Sequence, residues 1–385
     1  MTLSPGALAE LRAREFPWTA ETIYLNNAST GPIPERTRRA LEVFNAKRAS
    51  PHLLPDRYLF AILERSRRLV ARLLGAAPDE IALATNTGHG LNLAAASLPV
   101  APGEIVLVSD REFPANVYPW MRLRRRGVRF ELVPTTAEGW PDEARLLERL
   151  ADPRVRVLAV SLVQFSTGYR VDLARLSRAT REAGVYLVVD AIQAVGQLPL
   201  DLGATPVDIL ACGAQKWLLS PWGSGFVYVR RALIERLEPA VTGWMAFEGT
   251  DDFSRLTRYD ATLRRDARRF ETITLPFQDF EGMNHSLELL LSVGIEAIEA
   301  HLRALRQPVL RWAECRGVRV VSPTDCHGSG ILAVAPASAP RCHAALAEAG
   351  VVTSLREGAI RLSPHLYNTP EELERVVEIL DRTAA

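Results

Sequence analysis

The sequence predicts an α/β protein: a layered domain built on a mainly parallel sheet, followed by a smaller α+β C-terminal domain. Three observations lead there. From about residue 80, short β-rich apolar runs alternate with amphipathic segments. Two of those runs, "VRVLAVSLV" and "VYLVVD", are apolar at every position but the odd one, as strands covered on both faces are. After about residue 283 the texture changes to a long helix-like stretch, short strands and a final helix.

Taken in order, "EIALAT" reads as a strand and "GHGLNLAAASL" as the helix after it. "EIVLVS" is the next strand, followed by a helix through "NVYPWMRLRRRG" that stops at Gly127, and then the strand "VRFELVP". "VRVLAVSLV" and "VYLVVD" flank "DLARLSRATREAG", which has an Asp near its start, apolar residues at helical spacing and Gly184 as its stop. "VDILACG" and "GFVYVRR" complete the series. The large domain is expected over 22–283 and the small one over 284–385, with residues 1–21 packing on the latter. In the small domain "MNHSLELLLSVGIEAIEAHLRALRQPVLRWAE" reads as one long helical stretch and "TPEELERVVEILDR" as the closing helix.

The bulk composition narrows the function. A net charge of +1 and 48% hydrophobic residues over 385 positions suit a large core and give no tail that would seek nucleic acid. The start lacks a basic segment followed by an apolar one, and no apolar run reaches spanning length, so no membrane or export role is expected and the protein reads as cytoplasmic. The four cysteines (Cys212, Cys315, Cys326 and Cys342) fall in no paired metal spacing, and no HExxH-type pattern supports a metal hydrolase. No metal site is expected.

Lysine usage is the sharpest anomaly. Of 46 basic residues only Lys47 and Lys216 are lysine, which leaves 44 arginines. Lys216 sits in "ILACGAQKWLLSPWGSGF", an apolar, glycine-punctuated segment with little use for a surface charge. A buried lysine can lose its proton and act as a nucleophile, whereas arginine stays protonated. Alternatively it is a chance residue at a strand exit.

In open α/β sheets ligands collect beyond the carboxyl ends of the strands. There the first strand delivers Asn86-Thr87-Gly88-His89, either an anion cup at a helix N-terminus or an ordinary helix start. The second delivers Phe113, an aromatic plate or a core residue. "VYLVVD" ends in Asp190, a carboxylate closing an apolar run, with Gln193 three residues on. The next strand leads to Lys216. Pyridoxal phosphate accounts for the whole set: a lysine for its Schiff base, an acid facing its pyridinium nitrogen and a cup for its phosphate.

The segment "VVDAIQAVGQLPLDLGATPVDILACGAQKWLLSPWGSGFVYV" resembles the class V aminotransferase family of pyridoxal-phosphate enzymes, which includes cysteine desulfurases, kynureninases and isopenicillin N epimerase-like proteins. The likeness runs from "IYLNNASTGPIP" to "IRLSPHLYNTPEELERVVEIL". It implies fold type I with a seven-stranded sheet. It further implies that Lys216 forms the Schiff base, that Asp190 faces the ring nitrogen and that Gln193 bonds the phenolic oxygen. Thr87, Gly88 and the His89 backbone match the phosphate turn, and Phe113 the ring-stacking position. Gln215 stands where desulfurases carry a histidine. Thr274, in "RRFETITLP", matches a threonine that reaches the phosphate of a neighbouring subunit, which implies a homodimer. Arg361 matches the arginine that grips the α-carboxylate of an amino-acid substrate.

The departures carry information. Where desulfurases place a nucleophilic cysteine on a mobile loop, this chain has "GVVTSLREGAIRLSP", a short turn with no thiol. Asn116 replaces the aspartate of kynureninase "FPTD", and Phe165 the tyrosine of its "YKTG". Asn27, Ser29, His89, Asn116, Trp244 and His365 are the polar or aromatic candidates for substrate contact. The reading is therefore an amino-acid lyase or aminotransferase, not a desulfurase, with epimerase as the alternative. A non-catalytic binding protein of the same fold is a further class, against which the retained Lys216 argues.

Overall fold

The computed structural model describes residues 4–383. Seven strands form its main sheet: β1 (Ile81–Leu83), β2 (Ile105–Ser109), β3 (Arg129–Val133), β4 (Val155–Ser161), β5 (Tyr186–Asp190), β6 (Ile209–Gly213) and β7 (Gly225–Val229). Their spatial order is β1-β7-β6-β5-β4-β2-β3. Every neighbouring pair is parallel except the two made by β7, which runs against β1 and β6. Only eleven residues separate β6 from β7, and no helix lies between them, so the chain cannot cross over to return in parallel.

Side chains alternate between two cores, one on each face. Leu210 and Cys212 of β6 enter one cluster and Ile209 and Ala211 the other; Leu158 and Val160 of β4 oppose Val157 and Ala159. That two-sided burial explains why the central strands read as continuous apolar runs. Asp172 caps the helix Leu173–Glu182 by accepting the Arg175 N–H, and Gly184 follows with φ 66°, as the sequence expects. The segment after β2 is less regular than expected: short helical pieces at Pro114–Asn116, Tyr118–Arg122 and Leu123–Arg126, ending at Gly127 with φ 79°.

A second, antiparallel sheet is built from β8 (Arg319–Val320), β9 (Leu332–Ala335), β10 (Ser354–Arg356) and β11 (Ala359–Leu362), in the order β10-β11-β9-β8. The long stretch before it is three helices rather than one: Phe277–Val293, Ile295–Leu305 and Gln307–Arg316. Gly294 breaks the first junction with φ 91°, and Pro308, which cannot continue a preceding helix, marks the second. The helix Phe277–Val293 passes through residue 283 unbroken and packs on the helices Glu35–Arg48 and Asp56–Leu74. The N-terminal chain lies on the C-terminal elements: Phe16 packs its ring on Tyr367, Arg12 pairs with Glu372 at 2.7 Å, and Ile23 registers with Val351. No helix among the described residues is long and apolar enough to cross a membrane.

Candidate active site

Because β1, β2, β4, β5 and β6 point the same way, their carboxyl ends converge on one edge of the sheet. A cavity of about 350 Å3 lies there, bounded by Thr87, Gly88, Phe113, Asp190, Gln215 and Lys216, with Ser29, Phe165, Arg356 and Arg361 across from them.

Two glycines fix the loop that carries Lys216. The Gly31 N–H donates to the Gln215 carbonyl at 2.9 Å, and a Cβ at 31 would lie 2.0 Å from the Lys216 oxygen. Gly196, at φ 103°, approaches the next carbonyl so closely that a Cβ there would be 2.3 Å from Trp217 O. His365 holds the same carbonyl from the other side. Its Nδ1 accepts the Leu366 N–H at 2.6 Å, so Nε2 carries the proton and donates it to Trp217 O at 3.0 Å. Burial lowers the His365 imidazole to about 4, so it works as a neutral strut behind the lysine.

The Lys216 Nζ stands 5.6 Å from the centroid of the Phe113 ring. Burial lowers its amine to about 8, partly offset by the Asp190 carboxylate. Asp190 is 3% exposed, accepts the Ile192 N–H at 3.0 Å, and is pushed up to about 6 by burial. Gln193 is held on both sides: Trp217 Nε1 donates to its Oε1 at 2.7 Å, and its Nε2 donates to Ala28 O at 3.0 Å.

Thr87 opens the helix Thr87–Ser97, so the N–H groups of Thr87 and Gly88 have no partner within the helix. Thr87 Oγ1 accepts the Gly213 N–H at 2.8 Å, which ties this helix start to β6. The His89 N–H is already taken, donating to the Asn86 cap at 2.8 Å, so the cup is one donor smaller than the sequence suggests.

Arg361 reaches the cavity from β11. It is 2% exposed, yet no carboxylate pairs with it among the described residues. Its Nη1 donates to Phe165 O at 2.6 Å, its Nη2 to Ser29 Oγ at 2.7 Å and its Nε to Ser354 Oγ at 3.2 Å. Burial lowers even this guanidinium, to about 10. A buried cation held by neutral partners at a cavity wall is a receptor for an anion.

The remaining sequence candidates lie elsewhere. Asn27 and Asn116 are fully buried and off the cavity wall: Asn27 Oδ1 accepts the Tyr367 hydroxyl at 3.2 Å, and Asn116 Oδ1 accepts Trp120 Nε1 at 3.2 Å. The half-buried His89 side chain also lies off that wall. Trp244 is exposed and packs against Phe253. Thr274 is exposed and outside this cavity, three residues after Glu271, which is buried and paired with Arg67 at 2.6 Å. Asp325, Cys326 and His327 bring donor atoms within 4.8 Å of one another, but they are consecutive residues on one turn, and His327 Nδ1 donates to Arg170 O at 2.8 Å.

Arg356 on the cavity wall and Glu112 behind it are residues that sequence reasoning did not single out, while Phe165, noted only as a departure from kynureninase, lines the wall. Glu112 is buried beneath Phe113, accepting Ser161 N at 2.7 Å, Gln164 Nε2 at 2.8 Å and the Ser161 hydroxyl. Burial raises its carboxyl to about 7, and the nearby Asp190 charge adds to this. Ser161 registers with Asp190 on the next strand, so Glu112 backs that carboxylate at one remove. The signal for Arg356 was present: it lies two residues from Ser354, the register partner of Arg361, and hence on the same strand face.

An amine near neutrality, a buried carboxylate, an aromatic face, free backbone donors and an unpaired guanidinium thus share one cavity. These are the parts that pyridoxal phosphate and an amino-acid carboxylate require, so the residues present fit the group.

The sequence pattern described as Aminotransferase class-V matches residues 23–376. The chain is 29% identical to the uncharacterized aminotransferase YcbU of Bacillus subtilis, over 82% of each chain. It is 32% identical to the isopenicillin N epimerase of Streptomyces clavuligerus, over 93% of this chain and 94% of that one. Among solved structures it resembles the Escherichia coli cysteine desulfurase CsdA at a TM-score of 0.84 and 25% identity, covering 97% of this chain and 98% of that one.

Proposed function

The chain belongs to the Aminotransferase class-V family and is a pyridoxal-phosphate enzyme, and from that premise we propose that it acts on an L-amino acid as an aminotransferase or a lyase, not as a persulfide-forming desulfurase. The observation that carries this reading is Arg361, a buried guanidinium without a carboxylate partner facing the same cavity as Lys216. Bound there, pyridoxal phosphate supplies an electron sink for the pair left on a substrate's Cα.

The chain's own residues do the rest. Lys216 would hold the cofactor through its amine and would be the base that takes the proton from Cα; an amine near 8 suits that exchange close to neutral pH. Asp190 holds a proton on the ring nitrogen, with Glu112 behind it. Thr87 and Gly88 offer backbone N–H groups to the phosphate, and Gln215 lies beside them. Gln193, with one amide proton left after its bond to Ala28 O, would donate to the phenolic oxygen. Phe113 would pack on the ring, and Arg361 with Ser29 would hold the α-carboxylate and so orient Cα toward Lys216.

Against a desulfurase, none of the four cysteines lines the cavity. Cys212 and Cys342 are buried in β6 and in the helix Ala339–Glu348, and burial pushes the Cys212 thiol well up. The link from β10 to β11 is a two-residue turn through Glu357 and Gly358, both at positive φ, which leaves no loop to swing a thiol inward. Against epimerisation, Lys216 is the one amine or imidazole on the cavity wall, whereas two-sided proton exchange calls for a second donor. The 32% identity to an isopenicillin N epimerase is the observation that favours that second reading.

We further propose that two copies associate, each supplying Thr274 to the other's phosphate site. This rests on Thr274 being exposed and on the outward-facing Trp222, Val241 and Tyr259.

The test is to incubate the holoenzyme with single L-amino acids in D2O and identify the products. A keto acid that requires a second keto acid for sustained turnover marks an aminotransferase. A fragment released without one marks a lyase. The D-enantiomer carrying deuterium at Cα would overturn the single-base reading, and no exchange at Cα for any amino acid would sink the proposal.

A further inference from the structure

A cleft of about 760 Å3 lies apart from the candidate active site, between the loop after β5 and the helices and turn of the C-terminal half. Its volume is that of a small-molecule site. Its lining is mixed: Leu162, Leu198, Leu302 and Leu310 give an apolar stretch, charged side chains border it, and its deepest cation is Arg306.

Arg306 is 6% exposed, and no carboxylate lies within ion-pair distance of it among the described residues. Its Nη2 donates to Pro323 O at 2.5 Å, while its Nε is buried with no partner. Neighbouring Arg170 and Arg303 are matched, both facing Glu299 at 3.1 and 3.4 Å. Deep Arg67, by comparison, is gripped by both oxygens of Glu271. A guanidinium buried without a paired anion is costly, and Arg306 repeats the Arg361 arrangement: a carbonyl partner, a cavity wall and no carboxylate in contact, the Asp325 charge acting on it only from beyond ion-pair distance. Space has been kept for it. A Cβ at Gly328 would fall 2.2 Å from Arg306 Nη1, and the backbone at 328 is not in the left-handed region, so the glycine there serves room rather than conformation.

The rest of the lining limits the ligand's charge. Asp172, Asp201, Glu299 and Asp325 also border the cleft and repel a polyanion or a phosphate dianion. We propose that this cleft is a second binding site, taking a small monocarboxylate whose head pairs with Arg306 and whose apolar tail packs on the leucine wall. The site adjoins the catalytic loop: Gln197, on its wall, accepts the Gly330 N–H at 2.6 Å and donates to the Gln193 carbonyl.

The experiment is saturation-transfer NMR of hexanoate with the holoenzyme of the wild type and three variants. The wild type and Arg361→Gln should bind alike. Arg306→Gln and Leu310→Glu should each bind about tenfold more weakly or worse, through loss of the cation and addition of a repelling charge. Leu310 is only half-buried, so L310E reports even where R306Q does not fold. Wild-type-like binding by both cleft variants would overturn the proposal, as would absence of binding to the wild type or loss of binding in R361Q, which would place hexanoate in the catalytic cavity.

Discussion

Gly31 lies so close to Lys216 that a single methyl group on its Cα would sit 2.0 Å from the Lys216 carbonyl oxygen. The contact joins an N-terminal loop to the exit of β6 that carries Lys216. Gly31→Ala must push that backbone aside. Turnover should drop by about 10²-fold, since an ångström of misplacement has that effect in a positioned site. Far-ultraviolet circular dichroism should remain that of the wild type. Unchanged turnover would mean that the loop is not a positioning element.

Arg361→Gln removes the buried guanidinium that meets the candidate active-site cavity. The kcat/KM for the amino-acid substrate should fall by about 10²–10³-fold, ~3–4 kcal/mol, mostly through KM. The visible band of lysine-bound cofactor should keep its wild-type titration. Equal weakening of cofactor and substrate would remove Arg361 from its carboxylate role.

Asp190 gives a pH signature in the cofactor-free protein. Its folded carboxyl titrates at about 6 because burial raises it, against an ordinary value near 3.8. The folded state therefore holds the extra proton, and Asp190's contribution is most favourable below pH ~4 and is lost as pH rises through 6. Asp190→Asn abolishes that loss. The D190N apoenzyme should be the more stable form at pH 7.5, by on the order of 2–3 kcal/mol, with the difference closing toward pH 4. Cofactor affinity should move the other way. Thermal melts of both proteins across this range decide it, and a wild-type advantage at pH 7.5 without cofactor would refute the assignment.

Sharing of Thr274 between subunits predicts complementation. Thr274→Ala should weaken cofactor binding by about tenfold, the loss of one hydrogen bond to a charged group. Lys216→Ala should be inactive. Mixed and reassociated, the two variants form a hybrid in which one site combines an intact Lys216 with an intact partner Thr274. That site should recover wild-type cofactor affinity; no recovery in the hybrid would place Thr274 outside the neighbouring site.

The legible parts of this protein were those where chemistry and periodicity coincide. Asp190 and Lys216 stand out because one ends an apolar strand and the other follows one by three residues, where a charge needs a reason. Thr87 was readable as a helix start after a strand. The reversal of β7 was available too, since eleven residues without helical pattern are too few for a crossover, but strand composition alone does not carry direction. Residue type alone does not place a side chain. Asn27, Asn116 and His365 read as polar candidates for substrate contact; the fold sets them off the cavity wall and gives them Tyr367, Trp120 and Trp217 as partners, while the Nδ2 of Asn27 and of Asn116 stays without one. Glu112 was invisible for the opposite reason: between Arg111 and Phe113 nothing announces that Ser161 and Gln164, about fifty residues on, will bury it.

Lys47, the other lysine, holds its Nζ 4.6 Å from the centroid of the Tyr58 ring, on a helix remote from the cavity. Apart from the terminal amine, the protein thus has a single rival to Lys216 for any electrophile that seeks primary amines. An aldehyde or activated ester, indiscriminate on most enzymes, meets here only Lys47, Lys216 and the terminal amine, so a Lys47→Arg variant leaves a label addressed almost to one side chain. The same scarcity spares the surface from stray adducts with excess cofactor, so the arginine-written exterior acts as chemical insulation around one reactive nitrogen.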